Sequence, residues 1–170
     1  MRTIRTTFIS ILAVGLLAGS AVGVTAQEDT QAPASVTGSF TTPQGVSPGS
    51  DAWEDGAMRT RDLRFASTWD ASDPRLSGVA SLRVNRDRYE RQQMEVGSAG
   101  AVIENEDGRW VGAGTWLGGE DLGETMTLVM QGEDAYEGLT GYVVVNLVTQ
   151  TFAASIFPGD MPPFPEPPAE

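Results

Sequence analysis

Carboxylates, guanidinium groups, phenols and hydroxyls are the reactive side chains this sequence offers, because it contains no histidine and no cysteine and its 11 basic residues are all arginine. Without imidazole or thiolate there is no Ser-His-Asp triad, no cysteine nucleophile and no His/Cys zinc or iron-sulfur site. Without lysine no Schiff base forms, which excludes pyridoxal-phosphate and other amine-based covalent chemistry. What remains is acid-base catalysis by carboxylates, cation binding by oxygen, or electrostatic positioning by arginine.

The acids fall into three clusters: Asp70 with Asp73, Glu120 with Asp121 and Glu124, and Glu133 with Asp134 and Glu137. Oxygen-rich loops hold calcium, but none of these has the spacing of an EF-hand or of a calcium-binding nonapeptide repeat, and solvated turns account for them better. No metal site and no cofactor is assigned, and no residue is assigned a catalytic role. A carboxylate pair for glycoside hydrolysis would be set by the fold and not by spacing; a small all-β domain with no further sugar-binding lobe argues against it.

Aromatic and glycine spacing is more pointed. In RWVGAGTWL, Trp110, Gly112, Gly114 and Trp116 share one face of a strand, so two indoles bracket a gap without side chains. Glycine within a strand marks either a sharp bend or a close approach to the backbone. The gap is therefore the floor of a ligand cavity or a corner at which a closed sheet turns. Arg83 alternates with Ser81 and Asn85 and faces either a polar cavity or solvent. Together with Tyr136, in the glycine-rich GEDAYEG turn, these residues form the candidate ligand-binding set Trp110, Trp116, Arg83 and Tyr136. Met126, Leu128 and Met130 share a strand face and read as core.

The elements that must position these groups are strands. Positions 36–42, 61–69, 76–85, 98–104, 109–117, 125–131, 139–149 and 151–157 each alternate or are rich in β-branched and aromatic residues, and turn signals separate them every 8 to 14 residues or so. No stretch has a clean helical period; 86–96 reads as an excursion or irregular edge strand. Positions 43–56, with two prolines and several glycines, read as a long loop carrying Trp53. The fold class expected is all-β: an antiparallel eight-stranded barrel, with a β-sandwich as the alternative. In 142–148 both faces are apolar, Val144 and Val148 opposing Val143, Val145 and Leu147, so an outer face needs cover from a partner subunit or from the chain's own ends. A homo-oligomer is expected on that ground.

Flanking segments set the compartment and the domain limits. Arg2 and Arg5, the apolar run from Phe8 to Leu17 and the small residues Val24-Thr25-Ala26 have the three parts of a secretory signal over 1–26, which predicts a secreted or extracytoplasmic protein. An uncleaved anchor is the other reading, although the apolar run is short for a membrane span. Residues 27–35 read as a flexible start, 36–157 as a single domain, and 158–170 as a proline-rich acidic tail. An exported chain without disulfides must draw its stability from the sheet core, which suits a bacterial exported domain. The formal charge of −12 becomes two units more negative once Arg2 and Arg5 leave with the leader. So acidic a chain repels nucleic acid and anionic membranes, and neither is expected as a partner. Beyond the leader, arginines occur only between Arg59 and Arg109, and acids alone follow Trp110.

The run Gly132 to Gly141, G-E-D-A-Y-E-G-L-T-G, resembles the glycine-tyrosine turn of the dirigent and allene-oxide-cyclase-like barrels, a G-x-G-x-Y-x-G-x-x-G pattern. Gly132, Tyr136, Gly138 and Gly141 match it, while Asp134 stands where a glycine is usual; about a quarter of the chain is covered. The resemblance implies an eight-stranded antiparallel barrel with a partly apolar cavity, commonly a dimer or trimer. It places no catalytic residue on this chain, and fold alone does not fix function. Two classes of function follow: an extracytoplasmic barrel binding an apolar small molecule or a protein partner, and a cofactor-free cyclase or isomerase acting on a lipid- or terpenoid-like substrate. A polar anchor at the bottom of an apolar cavity, whether Arg83, Tyr136 or a buried carboxylate, would favour the second. A cavity packed shut by Trp110, Trp116 and the methionines would favour a structural role.

Overall fold

A computed structural model describes residues 32–119 and 123–159. The segment expected as a secretory leader, most of the expected flexible start, residues 120–122 and the proline-rich tail beyond Gly159 lie outside the described residues. Ten strands follow one another: β1 (Ala34–Phe40), β2 (Gln44–Ser47), β3 (Ser50–Glu54), β4 (Ala57–Ala71), β5 (Gly78–Tyr89), β6 (Met94–Glu104), β7 (Gly108–Gly119), β8 (Gly123–Asp134), β9 (Leu139–Asn146) and β10 (Thr151–Pro158). Single 3₁₀ turns occur at Pro74–Leu76 and Glu90–Gln92. Among the described residues, no helix is long and apolar enough to cross a membrane.

All strands join one antiparallel sheet. From β4 to β10 each strand pairs with the next, and β1 pairs with both β10 and β4, closing a hydrogen-bonded ring of eight strands. Such closure removes the open sheet edges that otherwise invite aggregation. It works because β4 is 15 residues long: its first part pairs with β3 and β2, and its end, Trp69 to Ala71, pairs with β1.

Alternation sorts the side chains. Ala80, Leu82 and Val84 of β5, Ala99, Ala101 and Ile103 of β6, Met126, Leu128 and Met130 of β8, and Val143 and Val145 of β9 all join one buried core. Phe40, Trp69 and Phe152 fill it from the β1–β4–β10 side, with the Trp69 and Phe152 rings 4.4 Å apart. Trp69 Nε1 donates to Ser67 Oγ at 3.0 Å, so this indole is buried without an orphaned donor.

Two expectations change. Positions 43–56 are not a loop: β2 and β3 lie there against β4, on the side that β1 leaves free. The prolines and glycines hid them because Pro43 precedes β2 and Gly49 and Gly56 sit between strands with positive φ. The stretch 86–96 is no excursion, since β5 runs on to Tyr89, one 3₁₀ turn reverses the chain, and β6 starts at Met94 in register. Its charges lack a strand period because Arg86 and Arg88 bind Glu95 across the hairpin.

Candidate functional site

Tyr136 and Trp110 meet at one end of the ring. The GEDAYEG turn lays the phenol ring on the indole, with centroids 5.4 Å apart and planes 19° from parallel, and both residues are buried. Their polar tips are already engaged: Trp110 Nε1 donates to Arg75 O at 2.9 Å, and Tyr136 Oη donates to Asn105 Oδ1 at 2.8 Å. Burial pushes the Tyr136 phenol above its ordinary value of 10.0. The pair closes that end of the ring as a plug and offers no free polar anchor to a ligand.

Asn105 is the hub that sequence reasoning missed. Its Oδ1 also accepts from the backbone N–H groups of Asp107 and Gly108, and its Nδ2 donates to Pro74 O at 3.2 Å and Ser77 O at 3.0 Å. The NEDG signal located the hairpin, but the reach of the asparagine to the 3₁₀ turn 30 residues away is tertiary. That turn is held in its own right. Asp73 caps it by accepting from Arg75 N at 3.1 Å and binds the Arg75 guanidinium, which holds its carboxyl below the usual 3.8.

Trp116 lies toward the other end of the core, separated from Trp110 by the two glycines. A Cβ on Gly114 would stand 1.7 Å from Thr127 O, and one on Gly112 would stand 2.2 Å from Val129 O and 2.9 Å from the Met130 side chain. The gap is thus occupied by β8 itself. This favours the bend over the cavity floor: the glycines let two strands approach. Trp116 Nε1 is buried with no hydrogen-bond partner. Trp110, Trp116 and Tyr136 line none of the hollows described around the molecule.

Arg83 is apart from all three. Its side chain is 64% exposed on the outer face of β5, where Nε lies 2.6 Å from Asp62 Oδ1. Arg64, its direct cross-strand neighbour, binds the same carboxylate through Nε at 3.1 Å and Nη2 at 3.0 Å. The hydrogen bond from Arg64, with the charges of both arginines, holds the Asp62 carboxyl below its ordinary value. Of the four candidate ligand-binding residues, then, the structure brings together Trp110 and Tyr136 and leaves Trp116 and Arg83 apart.

The acidic turns are dispersed. Glu133 pairs with Arg109, Asp73 with Arg75, and Asp70 is exposed. Among the described residues no group of three or more acids is placed to hold a metal ion.

The outer face of β7 to β10 and β1 has a different character. The outward positions between Val111 and Leu117, Thr125 and Gln131, Thr140 and Asn146, Thr151 and Phe157, and Ser35 and Ser39 carry no charge, although the chain has 23 acids and 11 arginines. In register across it run Ala113, Val129 and Tyr142, then Thr115, Thr127, Val144 and Ala153. Leu117, Tyr142, Val144 and Phe157 are exposed there at 37 to 46%. Compared with known proteins, the chain matches no family model, no curated protein and no solved structure.

Proposed function

We propose that this chain is an exported, non-catalytic β-barrel module that works through its outer surface, and that its uncharged face pairs with the same face of a second copy. The carrying observation is that face: five neighbouring strands without one charged outward side chain between Ser35 and Ser39, Val111 and Leu117, Thr125 and Gln131, Thr140 and Asn146, and Thr151 and Phe157, in a chain of charge −12. Two copies repel wherever their acids meet, and this face lets them approach without juxtaposing like charges. At strand spacings of about 4.8 Å and roughly 6.8 Å per outward residue, the patch projects to on the order of 600 Å². A stable interface takes about 800 Å² per partner, and side-chain relief adds to the projected figure. The leader-like segment 1–26 and the absence of cysteine support export. The glycine-tyrosine turn supports a barrel of the dirigent and allene-oxide-cyclase type, since the position where that pattern carries glycine, Asp134, has a left-handed backbone with φ 60°.

Two of the polar anchors expected for the cyclase reading are engaged elsewhere: Arg83 points outward to Asp62 and the Tyr136 hydroxyl is bound to Asn105. The test is sedimentation equilibrium of the 27–170 chain beside Val129→Glu and Val79→Glu. Val79 is exposed on β5, away from the face, and serves as the control. The face variant is expected to be monomeric where the parent and the control are dimeric. Equal masses for all three proteins would overturn the proposal.

A further inference from the structure

Arg64 and Arg83 form a second feature, whose groove borders the pairing face and shares Val111 with it. They stand directly opposite each other on β4 and β5, a cross-strand arrangement of like charges that destabilises a sheet unless something offsets it. The offset is built in. A bulge in β4 between Thr60 and Leu63 puts Asp62 in the left-handed region at φ 57°, and its N–H is held by Asn85 Oδ1 at 2.9 Å. From there one carboxylate serves both guanidinium groups. Two cations share one anion, and the remaining guanidinium nitrogens have no hydrogen bond among the described residues. The result is a local excess of positive charge on a strongly acidic molecule.

Beside this pair lies an open hollow of about 570 Å³, within the size range of small-molecule sites. Arg64 and Arg83 are its charged residues; Val102, Val111 and Val46 of β2 supply apolar lining, and Gly100 contributes no side chain. A Cβ on Gly100 would meet nothing nearer than Gly112 O at 3.9 Å, so the space is not claimed by packing.

We propose that this groove binds a small amphipathic carboxylate, with the head group on the free nitrogens of Arg64 and Arg83 and the hydrocarbon over Gly100, Val102 and Val111. An acceptor-only anion supplies what the two guanidinium groups lack. The apolar strip beside them selects against hydrophilic anions such as phosphate. This site lies outside the ring, not in the interior expected from the barrel resemblance, and it goes beyond the pairing proposal.

Isothermal titration of the 27–170 chain with decanoate, decanol and acetate tests it, with Arg83→Gln and Gly100→Val as variants. Decanoate is expected to bind at least tenfold more tightly than decanol or acetate. Arg83→Gln should weaken decanoate binding at least tenfold without changing the decanol result, and Gly100→Val should abolish binding while the thermal transition stays in place. Equal binding of decanoate and decanol would show only an apolar patch, equal binding of decanoate and acetate only a cationic one, and no decanoate binding no site; each overturns the proposal. Sedimentation in the same buffers reports the pairing of copies separately, so failure of either proposal is distinguishable.

Discussion

Tyr136 Oη donates to Asn105 Oδ1 at 2.8 Å, joining two turns 31 residues apart and holding the plug at one end of the ring. Replacing Tyr136 with phenylalanine keeps the stack on Trp110 and removes only this bond. Asn105 Oδ1 still accepts from two backbone N–H groups, so it is not orphaned. The expected cost is about 1 kcal/mol in urea unfolding. A loss of more than three times that would mean that the hydroxyl carries more of the end closure than its single bond allows.

The same phenol dictates an alkaline limb. Its folded-state value is raised by burial above the ordinary 10.0, so its contribution to stability is complete below about pH 10 and falls as pH climbs toward the folded value, because the unfolded chain ionises first. Denaturation midpoints measured from pH 8 to pH 11 or so should decline for the parent and decline less for Tyr136→Phe. Parallel curves would show that Tyr136 is not the group responsible.

Asp134 holds φ 60°, a conformation that costs a non-glycine residue free energy. Its side chain makes no hydrogen bond among the described residues, so glycine loses little there. Asp134→Gly should stabilise the chain by about 0.5–1 kcal/mol, net of the entropy glycine adds to the unfolded state. A thermal melt reads this as a rise of roughly 2–4 °C. A fall in melting temperature would place a stabilising contact on the carboxylate.

Gly114 separates the bend from the cavity floor most sharply. A methyl group there meets Thr127 O and the Leu128 backbone, which cannot give way as a flexible side chain would. Gly114→Ala should therefore cost at least about 1–3 kcal/mol, the usual penalty for overpacking. A neutral effect in chemical denaturation would mean that open space lies above the strand.

Much of the fold was legible in the residues. The strand faces in 76–85 and 109–117 follow the alternation of Ala80, Leu82 and Val84 and of Trp110 and Trp116, all buried. The outward face of β9 was visible in Val144. What could not be read was tertiary. Ring closure depends on β4 being long enough to meet β3, β2 and β1 in turn, and no local signal sets that length. The arginine-rich 86–96 stretch concealed a hairpin because its charges are matched across strands, Arg86 and Arg88 to Glu95, and not along one. The candidate site was recovered only as types: Trp110 and Tyr136 do meet, but as core, and Arg83 gains its meaning from Asp62 and Arg64. Those two residues drew no notice because a bulge, not a period, brings the carboxylate to its partners.

The central claim, that copies pair through an uncharged face, is tested most directly by the mass of the 27–170 chain in solution, measured by sedimentation equilibrium across concentration at low and high sodium chloride. Salt screens the repulsion between two acidic copies and leaves an uncharged contact intact. The predicted result is a dimer whose association strengthens as salt rises. A chain that stays monomeric throughout, or a dimer that salt dissolves, would contradict the account.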